Sequence, residues 1–193
     1  MEHPTPQQLL LACLNEFTIS IKLLLNAPRI LPENIRLSSL PALVMLYAAI
    51  DILGSMLRPE SEPDTKAEYF KKWVDDYMIG HSQVAFTSDD LWGARCGLLH
   101  THTASSKLAR AGKVRQLHYF RACGASVPPA MQGAMIAMGA QGKLFVDVDA
   151  LCDVFEEGTR RFLAAIQRDA TLEKRVRHHS SHLFGVWRNF ESK

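Results

Sequence analysis

The sequence predicts an all-α protein: an antiparallel bundle of four to five helices with a small β-hairpin insertion. Three observations point there. Apolar residues recur at spacings of three and four through most of the chain, the period of a helix with one buried face. Alternation of the β type is confined to two short runs, "VRQLHYF" and "KLFVDVD". No internal repeat or low-complexity tract interrupts the pattern, and 193 residues is a one-domain length. The expectation is a single helical domain over 1–193, with an insertion at about 101–147.

The first helix is expected over residues 6–25, "PQQLLLACLNEFTISIKLLL". "NAPRILPEN" then breaks the period with two prolines. Ser38 or Ser39 can cap a second helix running to about Leu57, with Pro41 tolerated in its first turn. It is apolar nearly all round, which suits the centre of a bundle or a subunit interface. Thr65 can cap "KAEYFKKWVDDYMIG", where Phe70, Trp73, Val74 and Tyr77 make the apolar face. Thr87 with Asp90 resembles a capping box for a helix through Leu99. "THTASSKLARAGK" reads as loop, and the glycines and prolines between the two alternating runs suit turns. Helix resumes from about Val148, continues past a break near Asp169, and extends through "LEKRVRHHSSHLFGVWRNF".

Charge is unevenly spread. Residues 1–90 hold 7 Lys/Arg against 12 Asp/Glu, residues 91–146 hold 7 and no acid, and residues 147–193 hold 8 of each. A cation-only middle third attracts a polyanion or is simply a solvated basic surface. The four cysteines lie far apart, with no C-x-x-C pair, which points to a reducing compartment rather than a disulfide framework. The N-terminus lacks the basic region of a signal peptide. The most membrane-like run, residues 40–57, is short for a span and carries Asp51, so a buried helix is expected. A soluble, cytoplasmic protein without membrane partners follows as the expectation.

"DDLWGARCGLLHTHTASS", residues 89–106, places an arginine in the apolar middle of a helix and a histidine at its end. On an ideal helix Arg95 shares a stripe with Leu91 and Leu98, while Trp92, Cys96 and Leu99 form the neighbouring stripe. His100 lies about 140° from Arg95, so convergence is expected only if the helix ends or distorts near Gly97 to Leu99. Asp51 is the only charged residue between Arg36 and Arg58. A buried carboxylate needs a cation, donors or water, and Arg95 is its natural candidate partner.

Arg95, four intervening residues and His100, "RCGLLH", resemble the R-x4–6-H motif of the HEPN superfamily. The helix order, with a lone acid in a strongly apolar second helix, is similar as well. The similarity covers about residues 6–100 and the C-terminal helix. It implies a helical bundle, commonly dimeric, that cleaves RNA without metal or other cofactor by attack of a 2′-hydroxyl on the adjacent phosphate. Arg95 would then stabilise the phosphoryl charge, His100 would act as general base or acid, and Asp51 would orient one of them. Two motifs would meet across a homodimer, in a toxin or defence setting with an antitoxin or partner protein. Cys96 departs from the pattern: the position after the motif arginine often holds Asn, Asp or His, and a thiol hydrogen-bonds weakly.

Each feature also has a plainer account. Arg95 can be salt-bridged and His100 can cap the helix C-terminus, with Asp51 a structural acid. Lys107, Arg110, Lys113, Arg115 and Arg121, with His118 and Tyr119 among them, suit a single-stranded phosphate chain or a soluble hairpin. His100, His102 and His118, or His178 and His182 four apart, offer imidazoles for a metal, but no third ligand type stands at a suggestive spacing. "MQGAMIAMG" suits dimer contact or hairpin packing. A non-catalytic interaction domain, with a dimer face on the second helix, is the alternative of a different class. A nucleotide-binding module ranks below both, since no Walker-type glycine loop is present.

Overall fold

The computed structural model describes residues 5–26, 39–82, 84–101, 103–122 and 126–183. The linker 27–38, with Ser38, and the segment after Leu183 lie outside them, as do Cys123, His102 and the side chain of His182. The described residues are mostly helical, with one small two-stranded sheet. They form two compact units, one from Met1–Trp73 with Thr159–Lys193 and one from Val74–Gly158.

In the first unit, α1 (Pro6–Asn26) packs on α2 (Ser39–Ser55) and on α8 (Ala170–Leu183), and α2 packs on α3 (Ala67–Trp73). The start of α1 is a reciprocal cap: the Gln8 amide donates to Thr5 Oγ1 at 3.2 Å, and the Thr5 amide donates to Gln8 Oε1 at 2.7 Å. By length and composition α1 could cross a membrane, with a mean hydropathy of 1.5 in an 18-residue window of Gln7–Asn26. Yet Leu10, Leu14, Ile21 and Leu25 are buried, as the inner stripe of a core helix requires. Leu11, Ile19 and Leu23 form an outward stripe, Leu23 being 66% exposed.

The apolar α2 is spent on the core. Leu46, Tyr47, Ala49, Ile50 and Leu53 are all fully buried, each large side chain contributing about 1.5–3 kcal/mol. A Cβ on Gly54 would lie 2.9 Å from the Phe70 backbone, so only glycine lets α2 and α3 approach this closely. Tyr47 stacks near Phe70 and Trp73 meets Phe162 edge-on, with centroids 6.5 and 6.3 Å apart. Asp169 starts α8 by accepting the amides of Thr171 and Leu172 at 2.8 and 3.1 Å.

The second unit begins where the chain of α3 widens into a π-helical turn, Val74–Met78, and a 3₁₀ turn, Ile79–His81. There follow α4 (Ser88–Thr101), the one-turn α5 (Lys107–Arg110), β1 (Gln116–Phe120), α6 (Pro129–Gly139) and β2 (Lys143–Asp147). Next comes α7 (Val148–Ile166), which belongs to this unit up to Gly158 and to the first from Thr159. Leu91, Leu117, Val146, Val148, Leu151 and Phe155 are among its buried residues.

The two strands stand where the alternation predicts them, but they are not a hairpin. They pair in parallel, Gln116 opposite Lys143 through Phe120 opposite Asp147. Parallel partners cannot be joined by a tight turn, and the chain between them folds as the crossover helix α6. The Met-rich run is thus a β–α–β connection rather than hairpin packing. None of its residues is buried, and Ile136 is 77% exposed.

Candidate functional site

The site grows from α4. Thr87 and Asp90 close its first turn reciprocally: Thr87 donates its amide and hydroxyl to Asp90 Oδ2, both at 2.9 Å, and the Asp90 amide donates to Thr87 Oγ1 at 3.2 Å. On the side facing the rest of the unit stand Gly93 and Gly97, four apart. A Cβ on Gly97 would lie 2.6 Å from the Thr103 carbonyl, and one on Gly93 would lie 2.5 Å from Val114 Cγ2. The chain leaving α4 folds back against this glycine face. The Thr103 amide reaches the Gly97 carbonyl at 3.3 Å, and Ser106 caps α5 by accepting the Ala109 amide at 3.2 Å.

Away from the glycines, Arg95 and His100 are brought together: Nη1 of Arg95 lies 3.3 Å from Nε2 of His100. The helix does not break to achieve this, since α4 runs on to Thr101. Five residues of helix rise about 7.5 Å, a gap that two long side chains can close. His100 is exposed at the last turn and Arg95 is half-buried. Trp92, one turn before Arg95, completes the group, with the guanidinium carbon 5.1 Å from the centroid of its ring. Trp92 is the residue that sequence reasoning missed: its spacing of three from Arg95 was a legible signal, masked by its place in an apolar stripe.

A guanidinium has donors only, so as a hydrogen bond this contact requires Nε2 of His100 to accept. His179 shows the opposite arrangement in the first unit. Its Nδ1 accepts from Arg58 Nη2 at 3.1 Å, and its Nε2 lies 3.0 Å from the Arg58 carbonyl, to which it donates.

The basic residues of the middle third divide. Lys107 and Lys113 are exposed, and so is Arg110, whose Nη1 donates to the Ser105 carbonyl at 2.7 Å. Arg115 is committed elsewhere: it donates Nη2 to Asp90 at 2.5 Å and to the Ala85 carbonyl at 2.7 Å. The buried Asp90 carboxylate holds its fork. Arg121 is likewise paired with Asp149, at 2.8 Å. Tyr119 is half-buried on β1. His118 stacks on Phe145 across the sheet, with centroids 5.4 Å apart, and burial followed by the charge of Lys143 holds its ring below the ordinary histidine range.

A cleft of about 360 Å³ opens beside this region, with Lys113, Arg115, Asp90, Gln141 and Gly142 in its wall. Asp51 stands half-buried on α2, in the first unit. Among the described residues no group of three or more His, Cys, Asp or Glu side chains is placed to hold a metal ion. No family model matches the chain, and neither a curated protein nor a solved structure is significantly similar to it.

Proposed function

We propose that the chain is a HEPN-like, metal-independent endoribonuclease that cuts single-stranded RNA as a homodimer, in a toxin or defence setting with an antitoxin or partner protein. The antiparallel bundle belongs to the same proposal. The single observation that carries the reading is the Arg95–His100 pair, a guanidinium and an imidazole 3.3 Å apart at an exposed helix end.

The chemistry follows from the two groups. Arg95 offers a planar fork to two phosphoryl oxygens and stabilises the charge that grows on them. Nε2 of His100 takes the proton of the ribose 2′-hydroxyl as that oxygen bonds to phosphorus. The bond from phosphorus to the 5′-oxygen breaks, and the proton passes from His100 to the departing oxygen. No water is consumed, and the products are a 2′,3′-cyclic phosphate and a 5′-hydroxyl. Asp51, which the resemblance makes an orienting acid, is not needed for these steps. Lys107, Arg110 and Lys113 grip neighbouring phosphates.

Mass spectrometry of the products tests this. Cyclic phosphate ends formed in the presence of a chelator support it; 3′-hydroxyl and 5′-phosphate ends contradict it. The second reading, a non-catalytic dimerising domain, draws on the outward stripe of Leu11, Ile19 and Leu23 on α1. It predicts a dimer dispersed by Ile19→Asp and no RNA cleavage by the wild-type protein.

A further inference from the structure

The site holds its two reactive groups against each other. The nitrogen of His100 that would accept a proton is occupied by Arg95, and the guanidinium that would clasp a phosphate is turned towards the imidazole. Neither group is ready for substrate in this arrangement. The Trp92 ring lies against one face of the guanidinium, its centroid 5.1 Å from the guanidinium carbon. A phosphate diester is an anion with two acceptor oxygens that match the fork, whereas a neutral imidazole offers one lone pair. Both contacts use the charged guanidinium, but the phosphate adds its own negative charge and a second parallel hydrogen bond, so the phosphate wins the exchange.

We propose that this is a substrate-gated base: Trp92 is a positioning residue on which the Arg95 guanidinium pivots, and a phosphate diester in the site draws Arg95 off His100 and uncovers Nε2. The inference rests on the ribonuclease reading for its purpose, but the exchange itself requires only a phosphate chain and no cleavage. It names the order of events as well. Phosphate engagement precedes exposure of the base, so His100 does not act on a hydroxyl that arrives without its neighbouring phosphate.

The test uses the full chain and a short single-stranded oligodeoxynucleotide, which carries the phosphates but lacks the attacking 2′-hydroxyl. Two-bond ¹H–¹⁵N correlation spectra report which nitrogen of His100 bears the proton. The free wild-type protein is expected to show the proton on Nδ1, with the Nε2 resonance moving as the oligodeoxynucleotide is added. In Trp92→Leu the free ring should populate both tautomers, and affinity for the probe should fall about fivefold. Trp92→Phe, which keeps an aromatic face, should restore both properties, which a merely structural role for Trp92 would not require. A proton on Nε2 in the free wild-type protein overturns the inference. So does an Nε2 resonance that stays fixed at saturating probe, whether or not the protein cuts RNA. If the gate operates and RNA remains uncut, the ribonuclease reading fails and the gate stands.

Discussion

Asp90 and Arg115 are joined at 2.5 Å, with the carboxylate residue only 3% exposed. Burial alone pushes this carboxyl up, but hydrogen bonds from the Arg115 side chain and from Thr87 and Arg115 amides outweigh it and leave it below its ordinary value. A depressed carboxyl stabilises the fold above its unfolded value, near 3.9, and that contribution disappears as pH falls through the folded value. The wild-type melting temperature should therefore drop below about pH 4, and Asp90→Asn should flatten this part of the profile. Removing one partner of a buried pair costs about 3–5 kcal/mol, and partial exposure of Arg115 moderates it. Arg115→Ala should lower unfolding free energy in urea by about 2 kcal/mol.

Gly97 and Gly93 should respond differently to alanine. At Gly97 the new methyl would meet the Thr103 carbonyl, which is backbone, whereas at Gly93 it would meet the end of the Val114 side chain. Overpacking costs about 1–3 kcal/mol where the neighbour cannot turn away. Gly97→Ala should lie within that range and Gly93→Ala below it, as read from thermal unfolding.

Cys152 is buried on α7, and burial followed by Asp149, Glu156 and Asp153 pushes its thiol up to about 12. The thiolate is the reactive form, so this residue should resist iodoacetamide at pH 8 in the folded protein. Cys96 and Cys13 are half-exposed and should be labelled before it, Cys13 more slowly than a free thiol because burial followed by Glu16 raises it. Peptide mass spectrometry after timed quenching gives the order, and early labelling of Cys152 would contradict the packing of α7.

If Lys107 and Lys113 hold phosphates, Lys107→Glu and Lys113→Glu should weaken binding to single-stranded RNA across sequences. Each should also flatten the dependence of affinity on salt by roughly one charge. Arg121→Gln should leave that slope unchanged, because its charge is already met by Asp149. Fluorescence anisotropy at several salt concentrations separates the two behaviours.

The helices with a clear apolar period were readable in advance, α7 down to its start at Val148. So was the Thr87–Asp90 cap, because capping is local chemistry. The crossover helix α6 was not: Pro128, Pro129 and Gly139 read as turn residues, and it has no polar face to create a period. The direction of strand pairing was hidden too, since parallel or antiparallel pairing is decided by the connection rather than by the strands. Arg115 looked like a surface cation because its partner lies 25 residues away in the chain. The Arg95–His100 contact was expected to need a broken helix, and side-chain reach closes the gap instead.

The most direct measurement is the cleavage rate of a single-stranded RNA in chelator, for the wild type, Arg95→Ala and His100→Ala. All three should melt within a few degrees of one another, since His100 is exposed and Arg95 is only half-buried on α4. The wild type should cut and each variant should lose at least about a hundredfold in rate, the scale of an acid–base or charge-stabilising group. Cleavage that persists undiminished in both variants, or a wild type that leaves RNA intact, would contradict the account.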